Sequence, residues 1–190
     1  MVLHNLRCVL IHVPKTGGIS IGSVLKSIDG GDNCRESHVI HESDLDLQDY
    51  FKFCIVRNPW DRFLSCYFYF KKNGRGLGND IHSGSLVNQY QTFKEFVLNF
   101  ETVRDQFKCP HFYHQLHWAD DRLDFIGKFE SLQESFDIVC DNINIPRQEL
   151  PHKNRSTHDH YTSYYDEDTI RIIAEEYAED IEYFGYEFGD

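Results

Sequence analysis

The 190-residue sequence predicts an α/β domain built on a mainly parallel sheet, and three observations carry that expectation. Short apolar runs at Leu6–Val13, Phe51–Val56 and Phe125–Phe129 are nearly continuous, the pattern of strands buried on both faces. Each run is followed by a segment whose apolar residues recur at helical spacing, so strands alternate with helices. The length and a hydrophobic fraction of 41% fit a single domain, residues 1–190, with a sizeable core.

The first run is broken by Pro14-Lys15-Thr16-Gly17-Gly18, after which Ile21, Val24, Leu25 and Ile28 mark a helix over Ile19–Ile28. Asp29-Gly30-Gly31-Asp32 then turns the chain out of it. Phe51–Val56 stops at Arg57-Asn58-Pro59, where Pro59 is placed to open the next helix. That helix, about Trp60–Lys72, carries Trp60, Phe63, Leu64, Tyr67 and Phe68 on one side. Asn73–Ser85 is Gly-rich and polar and reads as a loop, and Phe93–Phe100 as a short helix. Ser131–Ile143 is expected to be helical with Leu132, Phe136, Val139 and Cys140 inward. A final helix, about Glu167–Phe184, shows a stripe of Ile170, Ile173, Ala174, Tyr177, Ile181 and Phe184. Asp166 is placed to cap its start and Gly185 its end.

Composition narrows the function classes. No apolar run approaches the ~18 residues of a membrane span, and Met1–Asn5 shows no signal-peptide pattern, so a cytoplasmic protein without a membrane partner is expected. The six cysteines are scattered and form no C-x-x-C pair, which favours reduced thiols over a disulfide framework. Of the net charge of −12, most belongs to the segment from Asp159 onward, where eleven acids face one base, Arg171. That segment reads as a solvated helix face, and the overall acidity argues against a nucleic-acid partner. The oligomeric state is not legible.

The strand–loop–helix unit around Pro14-Lys15-Thr16-Gly17-Gly18-Ile19-Ser20 carries the chemistry. Ligands of open α/β sheets bind beyond the carboxyl ends of strands. Two glycines let the backbone turn and approach an anion, and the next helix offers N–H groups and the positive end of its dipole. Lys15 adds a mobile charge; Thr16 and Ser20 add hydroxyls. A Walker A loop is excluded, because there the lysine follows the glycines, whereas Lys15 precedes them and no Ser/Thr stands in the Mg²⁺ place. In a second segment, Phe53-Cys54-Ile55-Val56-Arg57-Asn58-Pro59-Trp60-Asp61-Arg62-Phe63-Leu64-Ser65, Arg57 would emerge at a strand's carboxyl end as a planar fork suited to phosphate. Ser65 would follow about one and a half turns into the helix, within reach of the same anion. Pairing with Asp61 or capping of a helix is the structural alternative for Arg57.

Both segments, in this order, resemble the 5′-phosphosulfate loop and the 3′-phosphate segment of the sulfotransferases. The likeness is greatest to the carbohydrate group that contains the heparan sulfate 2-O- and chondroitin enzymes, of which this chain looks like a minimal soluble version. Asp124–Glu130 is similar to that family's late strand, and Pro151-His152-Lys153-Asn154-Arg155-Ser156 to a loop that closes over the nucleotide. The resemblance implies a P-loop-like three-layer fold with helices flanking the sheet. It implies 3′-phosphoadenosine 5′-phosphosulfate (PAPS) as co-substrate, no metal, and a hydroxylated small molecule or carbohydrate as acceptor. Pro14–Ser20, Arg57, Ser65, Asn154 and Ser156 would hold the nucleotide, and Lys15 would neutralise charge on the bridging oxygen. The family places a base after the first helix, in the interval of Ser37-His38-Val39-Ile40-His41-Glu42; His38 fits best, with His41 and Glu42 as alternatives.

Other clusters carry less. Cys34, His38 and His41 lack an evident fourth zinc ligand, and His111, His114 and His117 would scarcely converge on a helix. Gly74-Arg75-Gly76-Leu77-Gly78 follows no strand and is no dinucleotide fingerprint. Two other readings stay open on the residues alone: a small-molecule kinase, and a noncatalytic nucleotide-binding module.

Overall fold

Strands β2 (Cys8–Ile11), β3 (Phe51–Val56) and β4 (Phe125–Lys128) run parallel in that order, and β1 (Val2–Leu3) closes the edge antiparallel to β2. The computed structural model describes residues 1–30, 47–119, 121–151 and 159–190. These form two compact units, Met1–Arg57 with Gln115–Ser156 and Asn58–His114 with Thr157–Asp190. The result is the mixed α/β class that the sequence predicts, a mostly parallel four-stranded sheet flanked by helices.

The first unit holds the sheet with α1 (Gly18–Asp29) and α6 (Leu132–Asn142). Cys8, Leu10, Phe53 and Ile55 share a core with Ile21 and Leu25 of α1 and with Phe136, Val139 and Cys140 of α6. Val9, Ile11, Cys54 and Val56, which alternate with them, are buried as well. Burial on both faces is the physical reason these strands read as unbroken apolar runs. The expected first strand is shorter than Leu6–Val13, because Arg7 takes a left-handed φ of 50° in the turn between β1 and β2. Parallel register sets Ile11 opposite Cys54 and Val56 opposite Lys128. The residues that follow β2, β3 and β4 therefore leave the sheet at one edge, its carboxyl edge.

Helix α6 is tied to that edge. The Ser135 hydroxyl accepts from the Lys128 amide at 3.0 Å and donates to the Lys128 carbonyl at 3.1 Å. Gly127 is required by this approach, since a Cβ there would lie 2.7 Å from Ser135 Cβ and 2.8 Å from Ile55 Cδ1.

The second unit is helical and aromatic. It contains α2 (Pro59–Lys71), α3 (Gly78–Val87), α4 (Phe93–Leu98), α5 (Phe100–Val103), α7 (Glu167–Glu176) and α8 (Ala178–Phe184). Phe63 sits at its centre, with the rings of Phe93, Phe96, Phe100, Phe112 and Tyr177 between 4.9 and 6.1 Å away. Pro59 opens α2 as expected, and Asn58 caps it by accepting from the Trp60 amide at 3.1 Å. Asp166 caps α7 through the Thr169 amide, and Gly185 ends α8 with a left-handed φ of 64°.

Three expectations are corrected here. Part of Asn73–Ser85 is not loop but the start of α3, because Gly84 marks a close approach: a Cβ there would collide with Asn73 Oδ1 and reach 2.9 Å from the Phe70 carbonyl. The expected helix Phe93–Phe100 is interrupted at Asn99, which ends α4 and precedes α5. The helix Glu167–Phe184 breaks at Tyr177, the capping residue between α7 and α8. Burial pushes the Tyr177 hydroxyl well above the usual tyrosine pKa, and it donates to the Phe112 carbonyl at 2.7 Å. The apolar stripe runs through the break, so periodicity does not reveal it. Cys8, Cys54, Cys66, Cys109 and Cys140 are buried.

Gly127→Ala should destabilise the fold by about 1–3 kcal/mol, the range for overpacking a filled site. Urea unfolding measures this; an unchanged midpoint would show that α6 does not press on β4 as described.

Candidate functional site

The loop after β2 turns sharply, and its strain locates the site. His12 and Val13 leave the strand, and the Thr16 hydroxyl donates back to the Val13 carbonyl at 2.9 Å, tightening the turn. Lys15 takes a left-handed φ of 69° and Gly17 one of 79°. For a lysine that conformation costs about 1–2 kcal/mol, so surrounding contacts must hold it. Helix α1 then begins at Gly18 with no side-chain cap.

The glycines are fixed by neighbours as well as by backbone. A Cβ on Gly17 would lie 2.8 Å from Leu132 Cδ2, at the first turn of α6. A Cβ on Gly18 would approach His12 Nδ1 to 3.0 Å. Among the described residues, no acceptor meets the amides of Thr16, Gly17, Gly18 or Ile19. The Ser20 and Ile21 amides already turn back onto the Gly17 carbonyl, at 2.9 and 3.4 Å. Left-handed turns beside a helix start make a concave run of N–H groups, a nest for an anion. A phosphate or phosphosulfate group fits this chemistry: backbone donors, the positive helix end and a lysine.

Arg57, directly after β3, is brought to this loop. It is only 8% exposed, and its Nη1 donates to the Lys15 carbonyl at 3.0 Å. Its guanidinium lies over the Phe129 ring, with Cζ 4.1 Å from the centroid. Its backbone is gripped at both ends by one side chain: the Arg57 amide donates to Gln115 Oε1 at 2.9 Å, and Gln115 Nε2 donates to the Arg57 carbonyl at 2.8 Å. Gln115 is fully buried.

The structure thus brings together Pro14–Ser20 and Arg57. Ser65 lies on α2 of the second unit and is partly exposed. His38, His41 and Glu42, like Asn154 and Ser156, lie outside the described residues. Gln115, Phe129, Leu132 and His12 were not singled out by sequence reasoning. Phe129 and Leu132 carry a usable signal, since Phe129 ends an expected strand at the ligand edge and Leu132 follows it; Gln115 carries none. Among the described residues, no group of three His, Cys, Asp or Glu side chains is placed to hold a metal ion. No helix among them is long and apolar enough to cross a membrane.

Comparison with known proteins agrees with this geometry. The model of the Sulfotransferase family matches residues 1–187, from the first strand through the final helix. An uncharacterised protein of Archaeoglobus fulgidus is 29% identical over 112 residues, 59% of this chain and 82% of that protein. No solved structure matches. With a glycine-lysine loop after the first parallel strand and a family match across both units, the chain belongs to the sulfotransferase family, the transferases that move sulfuryl groups.

Proposed function

We propose that the chain transfers a sulfuryl group from PAPS to a hydroxyl of a carbohydrate or small alcohol, working as one sulfotransferase domain without a metal. One observation carries the reading: four consecutive amides, Thr16 to Ile19, have no acceptor among the described residues and stand beside Lys15 at the start of α1. PAPS supplies the sulfuryl group, whose bond to the 5′-phosphate oxygen breaks as a bond to the acceptor oxygen forms.

The residues divide the work. The amides at Gly17 and Gly18 hold the 5′-phosphate, and Lys15 meets the charge that grows on the departing bridging oxygen. Arg57 and Ser65 recognise the 3′-phosphate; Arg57 carries five N–H donors, one of which is on the Lys15 carbonyl. The sequence pattern adds Asn154 and Ser156 as further nucleotide contacts and His38 as the base that takes the acceptor proton. Motif order and spacing favour the carbohydrate group of the family. The chain's net charge of −12 favours a neutral sugar or small alcohol over a polyanionic glycan.

Binding is the first test. In EDTA, 3′-phosphoadenosine 5′-phosphate at 100 times its dissociation constant should stabilise the protein by about 2.7 kcal/mol, read as a thermal shift. No shift, beside a clear one with Mg-ATP, would favour a kinase and end the PAPS reading.

Turnover is the second. With labelled PAPS, neutral glycosides or small alcohols should be sulfated in preference to heparan-type chains. Lys15→Gly suits the left-handed backbone, so it should keep the unfolding midpoint while lowering the rate ~10²–10³-fold. His38→Ala should remove the acid limb expected near pH ~6.5 and leave nucleotide binding intact. Preferred sulfation of the polyanion, a collapsed Lys15→Gly midpoint, or an acid limb that survives in His38→Ala would each overturn the corresponding assignment.

A further inference from the structure

We infer that Gln115 is a positioning residue for the nucleotide site, acting through Arg57 on the phosphate loop; the inference rests on the anion-binding reading of that loop. The geometry forms one chain of contacts within the first unit. Gln115 grips both backbone polar groups of Arg57, at 2.9 and 2.8 Å, from a residue 58 positions later in sequence. Arg57 Nη1 reaches the Lys15 carbonyl at 3.0 Å, and the guanidinium plane is set by the Phe129 ring beneath it. Lys15 is the left-handed non-glycine residue of the loop, and its carbonyl orientation is coupled to that conformation.

A primary amide carries a donor and an acceptor on separate atoms, so it can satisfy one backbone N–H and one C=O together. At the end of β3 those two groups have passed the last residue paired with β4, Val56 opposite Lys128. Gln115 takes over where the ladder stops, and being fully buried it is sheltered from competing water. The carboxyl end of β3 is thus held beyond its last ladder pair, and Arg57 can act as a strut on Lys15. The consequence differs from simple recognition of the 3′-phosphate. Loosening Arg57 disturbs the loop that holds the 5′-phosphate, so affinity falls for nucleotides with and without the 3′ group.

The test uses the whole chain and two variants. Gln115→Met keeps the volume and removes both hydrogen bonds; Phe129→Leu removes the ring under Arg57 and leaves the backbone grip intact. Hydrogen exchange of the unliganded proteins reports on the loop. Titration calorimetry follows 3′-phosphoadenosine 5′-phosphate and adenosine 5′-monophosphate. Gln115→Met should weaken both nucleotides about tenfold, ~1.4 kcal/mol. It should also speed exchange at Ser20 and Ile21, whose amides bond the Gly17 carbonyl, without speeding it in β2 and β3. Phe129→Leu should move the same amides in the same direction, and carries the test if Gln115→Met does not fold. Unchanged loop exchange, exchange raised equally through the strands, or a loss confined to the 3′-phosphorylated nucleotide would overturn the inference. If the natural protein binds neither nucleotide, the donor assignment fails, and loop exchange alone decides whether Gln115 holds the loop.

Discussion

The guanidinium of Arg57 lies at the carboxyl end of β3 between the Lys15 carbonyl and the Phe129 ring, with its backbone gripped by Gln115. A buried arginine is costly unless its surroundings receive it, because removing the charge from water must be offset by hydrogen bonds and stacking. Here the receiving groups come from the segments that build the site: the loop after β2, the segment after β4, and the turn at Gln115. The constraint runs both ways. Arg57 needs these groups to be buried, and Lys15 needs Arg57 to hold a backbone conformation that lysine disfavours.

From that bridge the rest of the site follows. A fixed Lys15 carbonyl leaves the succeeding amides to the start of α1, where the helix supplies partial positive charge. Leu132 and His12 press on Gly17 and Gly18 from two sides, so the loop has little room to relax. In the proposed site the attraction for an anion would be local, made from one lysine, one arginine and oriented N–H groups in a chain whose net charge is −12. Such an arrangement suits a doubly anionic donor at the loop. The acidity of the last thirty or so residues is carried largely by α7 and α8 of the second unit.

What was legible in the sequence follows from the range of each interaction. The three parallel strands could be read because they are buried on both faces, and Pro14–Ser20 because its glycines serve one tight local turn. The Asp166 and Gly185 caps were local as well. Gly84 misled because its role is a close approach of α3 to Asn73 and Phe70, while a glycine beside polar residues reads as loop. The break at Tyr177 was hidden because a buried ring and its hydrogen bond to Phe112 continue the apolar stripe. Gln115 could not be found: a neutral amide among histidines carries no periodicity, and its meaning depends on pairing with a residue 58 positions away. Arg57 was legible as a strand-end cation, but its bond to Lys15 was not, since that depends on the parallel register of β2 and β3.

In the proposed complex the donor nucleotide sits on the amides that open α1. Amide chemical shifts of ¹⁵N-labelled protein, followed as 3′-phosphoadenosine 5′-phosphate is added in EDTA, test it residue by residue. The largest changes should fall on Thr16, Gly17, Gly18 and Ile19, with the Arg57 side-chain N–H moving alongside them. Silence in that loop, with the largest changes elsewhere, for example around His114 and Glu175–Glu179, would contradict it.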